Sequence, residues 1–220
     1  YIHVSGVDLI RTSKKNFYVL EDNLRVPSGS SYMIENRSTM MHMFPELFTR
    51  YNVKNVYDYP DLLFKSLIKC YGSHSGTPNL AVLTPGIYNS AYFEHAFLAD
   101  QMGIELVQGN DLKVVDGFLA MRTTQGHQKV DVVYKRLDDE FLDPLNFNEK
   151  SSLGVPGLFD VYRKGRVTIA NAPGTGIADD KAMYSFMPEI VQFYSGEFPL
   201  LQNVPTWRCA IKDQLQYVLD

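Results

Sequence analysis

The sequence is poor in cysteine and lacks the motifs that mark several common classes of enzyme. Its two cysteines, Cys70 and Cys209, lie far apart and form neither a C-x-x-C pair nor a metal-binding cluster. We therefore expect two free thiols in a cytoplasmic protein, with a disulfide as the alternative. The five histidines form no H-E-x-x-H pair, and there is no G-x-S-x-G elbow and no kinase motif set. Nucleophilic catalysis consequently has little support.

Long apolar runs and blocks of positive charge are also absent. No stretch reaches the length of a membrane span, and a secretory leader is not expected. The formal net charge is −4 without a basic block, so neither a membrane nor a nucleic acid is expected as a partner. The 220 residues, 45% of them hydrophobic, could bury one large domain or two small ones. The chain enters an apolar run directly from Tyr1, and we expect it to be a piece of a longer protein.

The clearest chemistry lies in a predicted β-hairpin near the start of the sequence. Two apolar runs, Val4–Ile10 and Phe17–Leu20, flank the polar stretch Arg11–Asn16. The second run continues into Glu-Asp-Asn and, a few residues later, Pro-Ser-Gly, which favours a turn. This layout is typical of two antiparallel strands joined by a long turn.

Three oxygen-bearing side chains gather at the open end of this hairpin: Asp8, Glu21 and Asn23. Side chains alternate along a strand, so Glu21 and Asn23 share a face while Asp22 points the other way. Antiparallel pairing can bring Asp8 opposite that face. Two carboxylates and an amide oxygen suit Mg²⁺, with room for waters and phosphate oxygens. Alternatively these residues only end the strands, because acidic residues and Asn favour turns.

A strand–helix–strand unit is predicted from Leu80–Thr84, Ser90–Met102 and Ile104–Val107. Such a unit crosses over right-handed into a parallel sheet, where ligands bind beyond the carboxyl ends of the strands. That position corresponds here to the loop Pro85–Ser90, and the start of the following helix could hold an anion. The loop has one glycine and no G-x-G-x-x-G motif, so a dinucleotide site is not expected.

The remaining predictions concern helices, strands and connections. The sequence predicts a helix over Ser31–Phe44, a helix opening at Tyr59, a linker over Gly72–Asn79, an Asp-Gly hairpin within Leu112–Met121, strands at Val130–Tyr134 and Val167–Ala170, and a helix over Asp179–Tyr194. In the first helix, Met40, Met43 and Phe44 are expected to be buried. The run Lys135–Asp139 after a buried strand suits a phosphate or carboxylate site, and equally a salt-bridged loop.

The predicted hairpin resembles the carboxylate hairpin of ATP-grasp ligases, in which an Asp and an E-x-N motif hold the Mg²⁺ ions bound to ATP. The match lies in the Asp-to-Glu spacing, 21 − 8 = 13, and in the run Leu-Glu-Asp-Asn before Pro-Ser-Gly. Other stretches are similar to the circularly permuted ATP-grasp family related to glutathionylspermidine synthase, and with the hairpin they cover most of the chain. These stretches are Leu83–His95, Tyr134–Pro144 and Gly174–Lys181.

The resemblance implies an α/β fold that joins a Rossmann-like pre-ATP-grasp domain to the metal-binding hairpin portion of a circularly permuted ATP-grasp domain. Residues 1–44 would belong to the ATP-grasp domain, residues 45–79 would form a helical connection and linker, and residues 80–220 would form the pre-ATP-grasp domain. The hairpin precedes the strand–helix–strand unit, which is the order expected of a permuted protein.

The same resemblance implies an ATP-dependent carboxylate–amine ligase that works through an acyl phosphate, with ATP and Mg²⁺ as cofactors and small-molecule or peptide carboxylates and amines as substrates. Asp8, Glu21 and Asn23 would hold the metal. Arg25 or Arg136 would steady the transferring phosphoryl group or the acyl phosphate. The implied cofactor-binding residues are Pro85, Gly86, Tyr88, Asn89, Ser90 and Glu94.

The sequence departs from the family pattern at two places. Many ATP-grasp enzymes carry an Arg two residues before the hairpin Asp, where this chain has Gly6. A glycine-rich flexible loop and paired nucleotide-clasping lysines are also missing, so the rest of the ATP-grasp domain is expected outside this chain and the fragment is expected to be inactive alone. The alternatives are a non-catalytic ATP-grasp-like binding or scaffold module and a metal-dependent phosphohydrolase.

Overall fold

The computed structural model describes residues 1–72 and 76–220, so residues 73–75 of the predicted linker lie outside the described residues. The strands are β1 (Gly6–Arg11), β2 (Phe17–Asn23), β3 (Leu80–Leu83), β4 (Glu105–Val107), β5 (Leu112–Val115), β6 (Phe118–Thr123), β7 (Gly126–Lys129), β8 (Val132–Lys135), β9 (Thr168–Ala170) and β10 (Gln202–Asn203). The helices are α1 (Ser30–Met43), α2 (Pro45–Tyr51), α3 (Tyr59–Cys70), α4 (Tyr92–Met102), α5 (Leu158–Arg163), α6 (Lys181–Tyr184), α7 (Met187–Ser195) and α8 (Lys212–Leu219). The fold is mixed α/β, with both parallel and antiparallel sheets.

The chain divides into two compact units. The parallel-sheet unit comprises residues 28–173 with Tyr1 and His3, and the hairpin unit comprises residues 4–27 and 174–220 with Ile2. These units differ from the predicted division after residues 44 and 79. Helix α1 contacts α4 and so joins the parallel-sheet unit, while β10 and α6 contact β2 and so bring the last part of the chain to the hairpin. The assignment to family domains stays a prediction.

The parallel-sheet unit is built on four parallel strands in the order β4-β3-β8-β9. The predicted strand–helix–strand unit is confirmed, since β3 pairs in parallel with β4 and α4 lies between them in the chain. All four residues of β3 are buried, as expected of a strand that is covered on both faces. Alternate strand residues, including Leu83, Val133 and Ile169, join the main hydrophobic cluster with side chains of β5, β6 and α5.

A second sheet in this unit consists of β5, β6 and β7, all antiparallel. The predicted Asp-Gly hairpin is confirmed, because β5 pairs with β6 across Asp116 and Gly117. Both turn residues have a positive φ, 50° and 77°, which is the requirement of a type I′ turn. Strand β7, which the sequence analysis missed, has four exposed residues and therefore carries no hydrophobic alternation.

The hairpin unit is built on the antiparallel pair β1 and β2, with β10 added in parallel to β2. The predicted hairpin is confirmed, and Asp8 pairs directly with Glu21 while Gly6 pairs with Asn23. Tyr184 of α6 secures the third strand, because its hydroxyl donates to the carbonyl oxygen of Val19 and accepts from the backbone N–H of Val204 at 2.8 Å.

Two sequence predictions about helices were wrong. The predicted helix Asp179–Tyr194 is split into α6 and α7, because Pro188 lacks an N–H and lies in the first turn of α7, where helices accept proline. Met40, Met43 and Phe44 are 44%, 63% and 37% exposed rather than buried. Helix α1 instead buries Ser31 and Ile34. Helices α2 and α5 were not predicted. Within the described residues, no helix has both the length and the apolar character that crossing a membrane requires.

The carboxylate of Asp143 secures the start of α5. This fully buried side chain accepts from the backbone N–H groups of Leu145, Gly157 and Phe159 at 2.9–3.1 Å, and Gly157 precedes α5 without a side chain that could cap it. The first N–H groups of a helix have no partner within the helix, so this carboxylate supplies what the glycine cannot.

We predict that Asp143→Ala lowers the free energy of unfolding by about 3 kcal/mol or more, since three backbone N–H groups lose a charged, fully buried acceptor. Asp160→Ala, an exposed change on α5 itself, should cost about 1 kcal/mol at most. Urea unfolding of both variants measures the difference. Equal stability losses would show that the Asp143 contacts contribute nothing specific.

Candidate functional site

The predicted metal ligands occupy one end of the hairpin sheet. Asp8 and Glu21 are direct cross-strand partners, and their side chains therefore share a face. Asn23 lies on that face too, and its amide nitrogen donates to Glu21 Oε1 at 3.4 Å. A β-bulge follows Asp8, and bulges commonly re-aim side chains beside functional sites. The structure thus brings together the three residues that the sequence analysis grouped.

A cation already neutralises part of this face. The ammonium group of Lys181, at the start of α6, forms an ion pair with Glu21 Oε2. The Lys181 side chain is 63% exposed and that of Glu21 is 31% exposed, so the pair is open to solvent and can be exchanged at little cost. Sequence reasoning did not assign Lys181 to this group, because 160 positions separate it from Glu21 (181 − 21 = 160).

Asp22 points to the opposite face, as the strand alternation predicted. Partial burial raises the pKa of its carboxyl group, and the nearby negative charge of Asp179 raises it further. Burial likewise raises the pKa of Tyr184, to which Asp22 also contributes. The hairpin therefore places Asp22 on one face and the pair of Asp8 and Glu21 on the other.

The donor set fits a Mg²⁺ ion that brings its own further ligands. No group of three or more His, Cys, Asp or Glu in residues 1–72 and 76–220 is placed to hold a metal. The hairpin offers two carboxylates and one amide oxygen, which is too few for an all-protein cage. Mg²⁺ is commonly held by one or two carboxylates together with waters and substrate phosphates, and this is what the hairpin could provide.

Arg25, predicted to contact the phosphoryl group, lies just after β2 in the same unit. Its backbone N–H donates to Asp179 Oδ2 at 3.2 Å, and the N–H of Leu24 donates to Asp179 Oδ1 at 2.7 Å. A Cβ atom at Gly176 would overlap the Arg25 guanidinium, so the side chain lies directly against this glycine. Arg25 is exposed overall.

The predicted ligand loop follows β3 in the parallel-sheet unit. Tyr88 is 98% exposed, and Asn89 and Ser90 are exposed as well, whereas Gly86 is buried and Pro85 is half-buried. Gly86 has φ 103°, and a Cβ atom there would lie 2.8 Å from Gln108 Oε1. Only glycine fits this position. The loop thus presents three polar or aromatic side chains to solvent beyond a strand end, and their contact with a cofactor stays a prediction.

Glu94 and Arg136 form a buried ion pair at the carboxyl end of the same sheet. Arg136 Nη2 lies 3.2 Å from Glu94 Oε1, and each residue is 1% exposed. The Arg136 backbone N–H donates to the carbonyl oxygen of Leu83, the last residue of β3. Arg136 therefore lies beside the Pro85–Ser90 loop, as predicted. The observed guanidinium contacts are with protein groups, Glu94, Ser28 and Tyr134.

The contacts of Lys135 bear on the two interpretations of the Lys135–Asp139 run, an anion site and a salt-bridged loop. Its ammonium group is 2.6 Å from Asp139 Oδ1, and the lysine is 1% exposed. This ion pair favours the salt-bridged loop over an anion site for the Lys135–Asp139 run, although the lysine is buried rather than solvated.

His95 is a fully buried imidazole in the first half of α4. Its Nδ1 is 2.8 Å from Thr84 Oγ1, and that oxygen accepts from the backbone N–H of Gly86 at 3.1 Å. Burial lowers the pKa of His95 to about 4, the Arg136 guanidinium also lowers it, and Glu94 opposes both effects. His95 is therefore neutral at physiological pH and holds the base of the loop through Thr84.

Comparison with known proteins places the whole chain in one group. Residues 1–220 match a protein-family model described as “A circularly permuted ATPgrasp”. An uncharacterized protein of Synechocystis is 55% identical over 220 residues, covering 100% of this chain and 46% of the relative. An uncharacterized protein of Mycobacterium tuberculosis is 51% identical over 219 residues, covering 100% of this chain and 40% of the relative.

A more distant relative carries a functional name. “Putative glutamate--cysteine ligase 2-3” of Frankia alni is 41% identical over 220 residues, covering 99% of this chain and 25% of the Frankia protein. The chain thus spans less than half the length of the curated relatives described here.

We predict that the buried neutral His95 makes stability depend on pH. Between pH 6.5 and about 4 the unfolded chain binds a proton that the folded chain does not. The free energy of unfolding should therefore fall as the pH falls through this window, by about 1.4 kcal/mol per pH unit for this residue. Urea unfolding at several pH values should show a shallower slope for His95→Gln. His127→Gln, an exposed control, should keep the wild-type slope; equal slopes in the two variants would contradict the assignment.

Proposed function

We propose, from the premise that the chain belongs to the circularly permuted ATP-grasp family, that it is part of an ATP-dependent carboxylate–amine ligase. The observation that carries the proposal is the convergence of Asp8, Glu21 and Asn23 on one face of the hairpin. The family match covers every residue of the chain, and a Frankia relative has a ligase name.

Asp8, Glu21 and Asn23 are the proposed ligands for Mg²⁺. The bound metal would supply positive charge to the phosphates of ATP and help to align them. Lys181 forms an ion pair with Glu21, so the chain itself provides a counter-charge for this carboxylate. An exposed ion pair of this kind contributes roughly 0–1 kcal/mol, which a divalent cation can readily offset.

The proposed reaction has two steps. An oxygen of a substrate carboxylate forms a bond to the γ-phosphorus of ATP, and the bond between that phosphorus and ADP breaks. The nitrogen of an amine then bonds to the carbonyl carbon of the acyl phosphate, inorganic phosphate leaves, and the amine gives up a proton. The first step brings two anions together, and unit charges 4 Å apart repel by about 4 kcal/mol at an effective dielectric constant of 20.

Arg25 is our proposed phosphoryl-contacting residue, because its side chain is exposed and lies in the same unit as the metal ligands. The loop residues Pro85, Gly86, Tyr88, Asn89 and Ser90 remain our proposed cofactor-binding set in the parallel-sheet unit. For Glu94 and Arg136, burial and mutual pairing favour a positioning role.

The parallel sheet with its covering helices supports assignment as a Rossmann-like pre-ATP-grasp domain, and we extend the proposed kinship to glutathionylspermidine synthase-like ligases on the motifs given above. We also propose a cytoplasmic location. Glutamate and cysteine, the pair in the name of the Frankia relative, are one substrate pair to test. The Frankia name belongs to a protein of which this chain covers 25%.

The proposal predicts metal-dependent ligation by the intact protein. Incubation with Mg-ATP, mixed amino acids and polyamines should yield ADP together with a new amide, detected by mass spectrometry. Glu21→Gln should reduce turnover at least about a hundredfold, the order of loss expected when a transition-state stabilising group is removed, while the melting temperature changes little because Glu21 is partly exposed.

Glu197→Gln is the matched control, an exposed change of the same charge within the hairpin unit, and should keep wild-type turnover. Phosphate release without amide formation would favour the phosphohydrolase, and no turnover in any mixture would favour the scaffold. Wild-type turnover in Glu21→Gln would remove the hairpin as the metal site.

A further inference from the structure

The segment that follows the proposed metal ligands is hydrogen-bonded to the buried ion pair of Glu94 and Arg136. Ser28 Oγ accepts from Arg136 Nη2 at 2.5 Å. The backbone N–H groups of Gly29 and Ser31 donate to Glu94 Oε2 at 2.8 and 3.0 Å, and the Ser31 hydroxyl donates to the same oxygen at 2.9 Å. Ser28 is also the first residue of the parallel-sheet unit after the chain leaves the hairpin unit.

The local backbone explains why a carboxylate is needed here. Gly29 precedes α1 with φ 123° and provides no side chain to cap the helix. The first N–H groups of α1 therefore need an acceptor from elsewhere, and a negative charge at a helix N-terminus is additionally favoured by the helix dipole. The carboxylate of Glu94, from α4, supplies both the acceptor and the negative charge. A buried carboxylate must itself be paired, and Arg136 provides the counter-charge.

These contacts leave Glu94 little capacity for a ligand. Oε2 accepts three hydrogen bonds, and Oε1 faces the Arg136 guanidinium. Arg136 is in turn fixed by its backbone bond to Leu83 and by the Tyr134 hydroxyl, 3.1 Å from Nη1. Contact of Glu94 with a cofactor would require its oxygens to exchange partners at a position that is 1% exposed.

A second carboxylate, that of Asp179, accepts hydrogen bonds from the residues just before this segment. In the hairpin unit, Asp179 accepts from the N–H groups of Leu24 and Arg25, and Thr175 Oγ1 donates to the Leu24 carbonyl oxygen at 3.1 Å. Residues 24–25 and 28–31 are thus each held to their own unit by a carboxylate. Strand β2 carries Glu21 and Asn23, and these two held segments follow it directly in the chain.

We infer that Glu94 and Arg136 are positioning residues that restrain the end of β2 by holding Ser28, Gly29 and Ser31; these five residues are the Glu94–Arg136 anchor. The inference rests on the proposed metal site at the hairpin. The anchor acts on Glu21 and Asn23 through the chain, five positions from Asn23 to Ser28, without touching the metal or the nucleotide.

Hydrogen exchange of the intact protein tests the anchor directly. Glu94→Ala should speed exchange at the Gly29 and Ser31 amides about tenfold, the factor expected from the loss of one hydrogen bond. Glu105→Ala, an exposed glutamate of the same unit, should change neither amide. Should the alanine variant fail to fold, the double variant Glu94→Met, Arg136→Met, which removes the acceptor without leaving a buried charge unpaired, is judged on the same two amides; unchanged exchange in whichever variant folds overturns the anchor.

Binding of Mn²⁺ without nucleotide, followed by electron paramagnetic resonance, separates positioning from ligand contact. Arg136→Met should weaken Mn²⁺ binding about tenfold, a loss typical of a residue that orients metal ligands. Combining it with Glu94→Gln should restore part of that affinity, since no buried charge is then left unpaired. Unchanged Mn²⁺ affinity in Arg136→Met, with weakened binding of ATP only, would assign Arg136 to the phosphates and overturn the positioning role.

Glu21→Gln tests the metal site separately. Wild-type Mn²⁺ affinity in this variant would reject the proposed site, while hydrogen exchange at Gly29 and Ser31 still decides the anchor.

Discussion

Backbone N–H groups at helix starts and strand ends need acceptors, and in this chain distant carboxylates supply them. Glu94 serves the start of α1, Asp143 serves the start of α5, and Asp179 serves the residues after β2. Glycines precede α1 and α5 and offer no capping side chain. Because an unsatisfied buried N–H costs about 1–3 kcal/mol, removal of any of these carboxylates would release the segment that it holds.

The same constraint sorts the acidic residues by function. The buried carboxylates of Glu94 and Asp143 accept several backbone N–H groups, and Glu94 is also paired with the buried Arg136. The carboxylates of Asp8 and Glu21 differ, because they are cross-strand partners near solvent, where Glu21 contacts the Asn23 amide and the exposed Lys181. Among the residues that the sequence singled out, this exposed pair is therefore the one that a divalent cation could bind without dismantling the fold.

Local patterns predicted the hairpin, the parallel strand–helix–strand unit and the Asp-Gly turn. Strand alternation, buried apolar runs and turn residues each depend on only a few neighbouring positions in the sequence. Strand β7 has no alternation to detect. The exposure of Met40 and Met43 was also unpredictable, since an apolar side chain is buried only where the fold provides a partner. The contacts of Glu94 join residues 42 to 65 positions apart. A glycine before α1 without a capping side chain was the one sequence signal that an external acceptor was required.

The central claim is that the solvent-facing hairpin carboxylates, and not the buried ones, bind the metal of a bound nucleotide. Anomalous X-ray scattering from crystals of the intact protein grown with Mn²⁺ and a non-hydrolysable ATP analogue would locate the metal directly. We predict a manganese peak bonded to oxygen atoms of Asp8, Glu21 and Asn23, with the Lys181 ammonium displaced from Glu21. A peak at other residues, with the pair of Lys181 and Glu21 intact, would contradict it.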